Sequence, residues 1–282
     1  MIELVGTNNI QEVRQFLSCF EESTQFLINN LRTYGPILTE HHNSGNFKII
    51  RNSAGDIISV FCLTRRGNLI IQSKENYPEI VLESCEKEPV QLKGFIGDWD
   101  SVEAVYKLFK TKNTNYTPSY ESKEILYSFS LSTMDNKIKH DARVRFLEAK
   151  DFSQWLDFTT AYLSELSLPD ELTLEQKKRD FEAQLANQVW WGLFEGDKLL
   201  SRVALNSKGE TIGQVGGVFT PKELRQKGYA KAAMFHMLKD CRDIHSHRKS
   251  ILFTGEIDFP AQKLYESIGY QRVGHFALVL SR

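Results

Sequence analysis

The chain has 282 residues, of which 41% are hydrophobic and 25% charged, and its 35 basic and 36 acidic residues leave a formal charge of −1. This length predicts two domains, and the composition is that of folded globular proteins, not of disordered, fibrous or membrane-spanning ones. The balanced charge gives no overall attraction to nucleic acid or to an anionic membrane, so we expect neither as a partner. Because the sequence has no membrane-length apolar run and no signal peptide at its start, we expect a soluble, cytoplasmic protein.

The first half of the sequence begins with apolar residues at helical spacing. Ile10, Val13 and Leu17 recur at intervals of three and four residues, and a second such set ends at the helix stop signals Tyr34-Gly35-Pro36. The runs that follow are rich in β-branched residues, are separated by turn sequences and predict an antiparallel meander: 47–50, 57–63 and 69–71.

The rest of the first half predicts a strand, a helix and another strand. The first strand is expected at Val90 to Ile96, and Ser101 is the expected N-cap of the helix. The last strand is expected at Glu124 to Leu131. Between Ser132 and Asp141 the sequence is polar and aperiodic, which indicates a linker with a boundary near Lys139.

This boundary divides the chain into residues 1–138 and 139–282, and the second part has a clear element order. Thr173 and Gln176 have capping-box spacing, and Glu195-Gly196-Asp197 is a hairpin turn. The expected helices are 151–166, 174–186, 229–242 and 260–268, and the expected strands are 189–194, 198–205, 210–219, 250–255 and 270–280. The first part has the same coarse order without residue identity, which indicates a degenerate duplication.

Metal and disulfide chemistry are not expected. His245 and His247 lack nearby carboxylate or thiolate partners, so we expect no metal. The cysteines form no C-x-x-C pair and are expected to be small buried hydrophobic residues: Cys19, Cys62, Cys85 and Cys241.

The strand-to-helix junction at residues 216–231 carries the clearest chemical signal. Gly228 and Ala230 let a ligand approach the backbone closely, and the helix that starts there presents unpaired N–H groups at the positive end of its dipole. Such a turn fits a pyrophosphate. Four basic side chains surround it and favour an ADP-type moiety: Lys222, Arg225, Lys227 and Lys231.

Two motifs in this region resemble those of a known family. Arg225, Gly228 and Ala230 fill the fixed positions of the pattern Q/R-x-x-G-x-G/A, and the run 218–230 resembles the acetyl-CoA motif of the GNAT N-acetyltransferase superfamily. Residues 258–270 are similar to that superfamily's last helix and its LYexxGF ending. The likeness runs from about Val144 onward, whereas the first half matches in element order alone and has no R-x-x-G-x-A loop.

The resemblance implies an α/β tandem of two GNAT-like domains, each a mostly antiparallel mixed sheet flanked by helices, with a degenerate first domain. It implies acetyl-CoA as the co-substrate, with the main chain of Val218, Phe219 and Thr220 pairing with the pantetheine arm as an added strand does. The strands at 210–219 and 250–255 are expected to splay apart around the thioester. The implied pyrophosphate ligands follow Arg225 in the chain: Gln226, Lys227, Gly228, Tyr229, Ala230 and Lys231.

Direct aminolysis of a thioester needs a neutral amine, a positioned carbonyl and a proton for the departing thiolate, but no covalent enzyme intermediate. The resemblance implies that Tyr265 is the general acid; the alternative is that it only packs against or hydrogen-bonds the co-substrate. The general base stays unassigned, because Gln214 and two glycines stand where the family often has a glutamate. Glu256 or a water chain are the alternatives, and Asp258 is expected to cap the following helix.

The acceptor is the least defined part of the prediction. Glu165, Asp170 and Glu171 either attract a cationic amine or form a solvated loop, and Trp190 and Trp191 either line the acceptor pocket or pack in the core. We predict an N-acetyltransferase, monomeric or homodimeric, that acetylates a primary amine of a small-molecule or amino-acid-like acceptor. The alternatives are transfer of a longer acyl group and a non-catalytic acyl-CoA-binding regulatory or scaffold protein.

Overall fold

Along the described chain, ten helices and strands follow one another in a fixed order, and the same order then occurs a second time. The structure is a computed structural model, and it describes residues 2–134, 143–166, 170 and 172–281. The first series is β1 (Ile2–Leu4), α1 (Ile10–Ser18), α2 (Gln25–Tyr34), β2 (Gly45–Arg51), β3 (Ile57–Thr64), β4 (Asn68–Ser73), α3 (Pro78–Glu86), β5 (Gly94–Asp98), α4 (Trp99–Lys112) and β6 (Tyr120–Ser130). The second is β7 (Val144–Phe146), α5 (Phe152–Glu165), α6 (Leu174–Ala186), β8 (Trp190–Glu195), β9 (Lys198–Lys208), β10 (Ile212–Phe219), α7 (Tyr229–Asp243), β11 (Lys249–Gly255), α8 (Phe259–Ile268) and β12 (Gln271–Leu280). The elements predicted for the second half are confirmed, and the repeated order supports the predicted duplication.

The elements assemble into two units that are not simply the two halves of the sequence. Unit 1 contains the chain up to Tyr127, together with Phe253–Asp258 and the segment from Arg272 onward. Unit 2 contains Ser128–Leu252 and Phe259–Gln271. The predicted boundary near Lys139 lies outside the described residues, so the division into 1–138 and 139–282 stays a prediction.

The sheet of unit 1 has the strand order β1-β2-β3-β4-β5-β12. β1 to β4 pair antiparallel in succession, and β2 to β4 confirm the predicted meander, whereas β1 was not predicted. β4 and β5 run parallel, with Asn68 opposite Gly94, and α3 forms the crossover that parallel strands need. β12 pairs antiparallel with β5, with Phe276 opposite Asp98. The sheet is therefore mixed and mostly antiparallel, as predicted.

Helices cover both faces of this sheet, because its central strands are apolar on both sides. β3 is buried at every position, as expected for a strand with two covered faces. On one face α1 and α2 contribute Val13, Leu17, Leu27 and Leu31 to the core. On the other face α3 and α4 contribute Val81, Leu82, Val102 and Val105.

The sheet of unit 2 has the strand order β11-β10-β9-β8-β7 and the same mixed character. β10 and β11 run parallel with α7 as their crossover, and the other neighbours pair antiparallel. Trp190 and Trp191 point to opposite faces of β8, as neighbours on a strand must. The ring of Trp190 packs on Trp155 of α5, whereas Nε1 of Trp191 donates to Asp240 of α7, 2.7 Å away. Helices therefore cover both faces here as well.

A buried carboxylate fixes the start of α5. Asp151 is 2% exposed and accepts two hydrogen bonds from Arg145 at 2.7 and 3.0 Å and one from the backbone N–H of Glu148 at 2.8 Å. Burial by itself raises the pKa of Asp151, but these hydrogen bonds and the charge of Arg145 outweigh it, so the pKa lies below its ordinary value. The carboxylate is therefore ionised and paired at neutral pH.

Several local predictions for the first half were wrong. The helix α4 starts two residues before Ser101, and its N-cap is Asp98, whose carboxylate accepts from the backbone N–H of Ser101 at 3.1 Å. The strand expected from Val90 starts at Gly94 instead, and α3 was not predicted. A short 3-10 helix at residues 131–133 overlaps the start of the predicted linker, and residues 135–142 lie outside the described residues.

Burial of the cysteines is confirmed for Cys62, Cys85 and Cys241, but Cys19 is exposed because it follows the last turn of α1 on the surface. Burial raises the pKa of Cys85 to about 12, so this thiol is unreactive at neutral pH. His247 is buried, and its Nε2 lies 3.0 Å from the carbonyl oxygen of Gly209.

Candidate functional site

A β-bulge interrupts β10 shortly before its end. Gly216 lies opposite Ala204 of β9 and Phe219 lies opposite Arg202, so three steps on β10 match two on β9. Gly217, inside the bulge, has a φ of +58°, a conformation that favours glycine. The bulge lies at the position where the sequence predicted main-chain pairing with a pantetheine arm.

The pairing of β10 with β11 ends before this bulge. Their parallel register runs over three pairs, from Ile212 opposite Lys249 to Gln214 opposite Ile251. Val218 and Phe219 therefore lie beyond the last of these pairs. This arrangement agrees with the expectation that the two strands diverge toward the end of β10.

The turn that follows β10 has an unusual backbone. Gln226 has a φ of +62° and Gly228 a φ of +80°, and Gly228 is the N-cap of α7. A non-glycine residue with positive φ is uncommon, and such residues concentrate where a turn is built for a ligand. A Cβ added to Gly228 would meet no atom within 4 Å, so the turn faces open space.

The N-terminus of α7 is left available for an anion. No side chain caps it, and no acidic residue lies in its first turn. The backbone N–H groups of Tyr229, Ala230 and Lys231 therefore have no partner within the helix and lie at the positive end of its dipole. The structure thus brings together the predicted pyrophosphate residues.

Two of the four predicted basic side chains organise the turn themselves. Arg225 donates from Nε to the carbonyl oxygen of Thr220 at 2.8 Å and from Nη2 to Glu165 at 2.6 Å. Lys231 donates to the carbonyl oxygen of Ser267 at 3.0 Å, which joins the first turn of α7 to the end of α8. These contacts fix the turn relative to the end of β10 and to α8.

Tyr265, the predicted general acid, lies on α8 and is 8% exposed. Its ring centroid lies 6.1 Å from that of Tyr270 at an angle of 62°. The hydroxyl of Tyr270 lies 2.6 Å from the hydroxyl of Ser250, and burial raises the pKa of Tyr270 far above its ordinary value. The two phenols are thus neighbours, and Tyr270 is held in a neutral hydrogen bond.

A family model, described as the acetyltransferase (GNAT) family, matches residues 152–270, which include β10, the turn, α7 and α8. Residues 152–270 form a GNAT domain. The uncharacterized N-acetyltransferase YsnE of Bacillus subtilis (strain 168) is 32% identical over 90 residues, which are 32% of this chain and 60% of that protein. The chain thus spans less than two thirds of the length of that relative.

Solved structures resemble the whole chain. An acetyltransferase of the GNAT family from Colwellia psychrerythraea is 12% identical, has a TM-score of 0.55 and is matched over 100% of both chains. A GCN5-related N-acetyltransferase from Sphaerobacter thermophilus is 12% identical, has a TM-score of 0.61 and is matched over 99% of this chain and 94% of its own. At these identities the likeness concerns the fold, and it agrees with the predicted fold class.

Unit 1 repeats the element order of the GNAT domain but not its turn. Its α3, which corresponds in order to α7, starts with Pro78 directly after its N-cap, Tyr77. Proline carries no N–H, so one of the donors that binds an anion at a helix N-terminus is missing. This helix start agrees with the absence of an R-x-x-G-x-A loop from the first half of the sequence.

The general base of the GNAT domain stays unassigned. Gln214 on β10 is 1% exposed, and its Nε2 has no hydrogen-bond partner among the described residues. Glu256 belongs to unit 1, where its Oε1 lies 3.5 Å from Nε2 of His275. Asp258 directly precedes α8, and its role as the cap stays a prediction.

The acidic acceptor loop is less negative than its sequence indicates. Glu165 ends α5 and pairs with Arg225, and Asp170 pairs with Lys177 at 2.5 Å. Glu171 lies outside the described residues. The charges of the two described carboxylates are thus balanced, which favours a structural role for them.

The sequence did not indicate the role of Arg202, which lies in β9 opposite Phe219. This arginine is 1% exposed and packs on the ring of Trp190, 4.6 Å from its centroid. The ring of Trp190 also lies against Gly217, where an added Cβ would come within 2.7 Å of it. The one available signal was a single charge within the mostly apolar run Leu199 to Leu205. Trp191, by contrast, is fully buried in the core.

None of the helices in the described ranges combines the length and the hydropathy needed to cross a membrane.

Proposed function

We propose that the chain is an N-acetyltransferase that moves an acetyl group from acetyl-CoA to a primary amine of a small-molecule or amino-acid-like acceptor. One observation carries the proposal: within a GNAT domain, the turn at Gln226 and Gly228 has two positive φ angles and leads into an uncapped helix. A backbone of this kind is maintained against conformational strain and suits a phosphate ligand.

The residues present fit coenzyme A. The N–H groups from Gln226 to Lys231 would hold the pyrophosphate, and the open space in front of Gly228 leaves room for it. The main chain of Val218, Phe219 and Thr220 would hold the pantetheine arm beyond the last β10–β11 pair. When bound, acetyl-CoA would supply the activated acyl group.

Acetylation of an amine releases one thiol, so one proton must leave the nitrogen and one must reach the sulfur. In our proposal Tyr265 donates the proton to sulfur from α8, and Lys231 holds the end of α8 against α7. The proton on nitrogen goes to a base or a water chain that is still unassigned. Because no covalent enzyme intermediate is needed, positioning supplies most of the rate enhancement.

The test measures thiol release from acetyl-CoA with a panel of primary amines. Tyr265→Phe is expected to lower kcat by about a hundredfold, with the Kd for acetyl-CoA changed by less than about threefold. Tyr270→Phe is the matched control, because it removes a neighbouring phenol that already bonds Ser250, and its kcat is expected to stay near the wild-type value.

Three results would contradict parts of this proposal. An equal loss of kcat in Tyr265→Phe and Tyr270→Phe would contradict the role of Tyr265 as the general acid. Acetyl-CoA binding without thiol release for any amine would favour the non-catalytic acyl-CoA-binding alternative. Absence of acetyl-CoA binding would overturn the proposal as a whole.

A further inference from the structure

Arg202 carries a buried positive charge in the middle of β9. Its side chain is one of the largest fully buried side chains in the described chain, and no described carboxylate forms an ion pair with it. Burial lowers the pKa of Arg202 to about 9, and the guanidinium is still cationic at neutral pH. A buried and unpaired charge is costly, so its retention requires an explanation.

The hydrogen bonds of Arg202 are incomplete. Nη1 donates to the carbonyl oxygen of Trp155 at 3.2 Å and to the hydroxyl of Thr159 at 2.7 Å. Nε is buried without a hydrogen-bond partner among the described residues, and so is Nε1 of Trp155. Two unmatched donors in one cluster are rare in folded proteins, where buried polar groups are nearly always paired.

Aromatic rings form the walls around the guanidinium. Its Cζ lies 4.6 Å from the ring centroid of Trp190, 5.8 Å from that of Trp155 and 5.9 Å from that of Tyr162. Such faces attract a cation and hold a guanidinium flat, but they do not accept its in-plane N–H groups. The site thus presents positive charge and free donors inside an apolar shell.

The cluster adjoins the bulge of β10, beside which we place the pantetheine arm of the donor. Arg202 lies opposite Phe219, and Trp190 packs between the guanidinium and Gly217. A planar ligand with two acceptor oxygens would match both the guanidinium and the indole N–H. All these residues belong to unit 2.

We infer that Arg202 and Trp155 bind a carboxylate of the amine acceptor, so that the substrates are amino acids or other amines that carry a carboxylate. This inference rests on the proposed function and narrows it, because neutral amines and polyamines would leave both donors unmatched. Arg202 acts as a specificity residue, and the cation–aromatic contacts hold it in place when no acceptor is bound.

The first test needs no catalysis. Tryptophan fluorescence is titrated with butyrate and with butyramide at constant ionic strength, because Trp155 and Trp190 lie in the cluster itself. Butyrate is expected to give a saturable change in the millimolar range and butyramide none. Arg202→Met should raise the Kd for butyrate about tenfold or more, Arg202→Lys less, and Trp155→Phe severalfold.

Folding and control variants keep this test interpretable. Arg202→Met removes a buried charge while keeping an unbranched chain, so its Tm is expected to equal or exceed that of the wild type. Trp191→Phe is the matched control, because its indole N–H is already bonded to Asp240, and butyrate binding should be unchanged. An equal response to both probes, no response, or an unchanged butyrate Kd in Arg202→Met overturns the inference.

The second test uses transfer. The best acceptor of the amine panel is compared with its carboxamide, and kcat/KM is expected to fall about a hundredfold in the wild type but to change little in Arg202→Met. If the best acceptors carry no carboxylate, the inference is overturned, but the acetyltransferase proposal is unaffected. If no amine is acetylated, the proposed function fails, and the butyrate titration still decides whether the anion site exists.

Discussion

Gly228 offers a direct test of the pyrophosphate turn, through the paired variants Gly228→Ala and Gly228→Glu. The residue is the N-cap of α7 with a φ of +80°, and an added Cβ would meet no atom within 4 Å. A left-handed conformation costs a residue with a Cβ about 1–2 kcal/mol, and there is no steric clash to add. Both variants should therefore fold, with a Tm lowered by a few degrees.

The two variants should differ in their affinity for acetyl-CoA. A glutamate at this position would place a carboxylate in the open space in front of the turn, where the pyrophosphate is expected. At about 4 Å, two like unit charges repel by about 1 kcal/mol in bulk water and by about 4 kcal/mol near a protein surface. Gly228→Glu should thus bind acetyl-CoA at least tenfold more weakly than Gly228→Ala.

Isothermal titration with acetyl-CoA measures this difference, and thermal unfolding measures the strain. Gly55→Glu is the matched control, because Gly55 has a φ of +92°, its Cβ would also meet no atom within 4 Å, and it lies in unit 1. This control should lose stability but not affinity. If Gly228→Glu binds acetyl-CoA as tightly as the wild type, the turn does not hold the pyrophosphate.

Three further predictions concern the support of the site. Arg225→Met should weaken acetyl-CoA binding about tenfold, because the turn loses a charged hydrogen bond to the main chain at the end of β10. Lys222→Met, at an exposed position, is the control and should change the Kd for acetyl-CoA by less than about twofold. Gly217→Ala should lower the free energy of unfolding by about 2 kcal/mol in chemical denaturation, because φ at this position is +58° and the new Cβ would lie 2.7 Å from a tryptophan ring. Gly274→Ala, at a position with open space around it, is the control and should lower it by less than about 0.5 kcal/mol. Asp151→Asn should lower stability by about 1–3 kcal/mol at neutral pH, where the paired carboxylate is ionised, and the difference from the wild type should vanish as pH falls through the depressed pKa; a pH-independent difference would contradict this account.

Local sequence patterns were sufficient to predict most of the fold. Apolar spacing predicted that the region of α1 and α2 is helical, β-branched runs predicted the meander, and the capping box at Thr173 was found where α6 begins. The turn at residues 225–230 was recognisable because glycine at the start of a helix and an apolar strand before it are both local signals. Features of this kind depend on residues close together in the sequence.

What the sequence did not indicate depends on distant partners. Asp98 takes the capping position expected for Ser101, because β5 continues to Asp98, two residues beyond the predicted end at Ile96, and α4 follows it directly. The role of Arg202 depends on helix α5 and strand β8, which supply its aromatic neighbours. The spacing of apolar residues along the sequence does not predict these contacts. The pairing of β12 with β5 likewise joins residues far apart in the chain.

This last pairing bears on how the protein is made. The edge of β5 that pairs with β12 stays unpaired until Val279 can lie opposite Phe95. Val279 is synthesised 184 residues after Phe95 (279 minus 95). At roughly 5–20 residues per second, a nascent chain carries that strand edge unpaired for roughly 10–40 s. During this interval the ribosome-bound chain exposes a strand edge with unpaired N–H and C=O groups, which can pair with other chains. We expect chaperones to bind the chain at this stage.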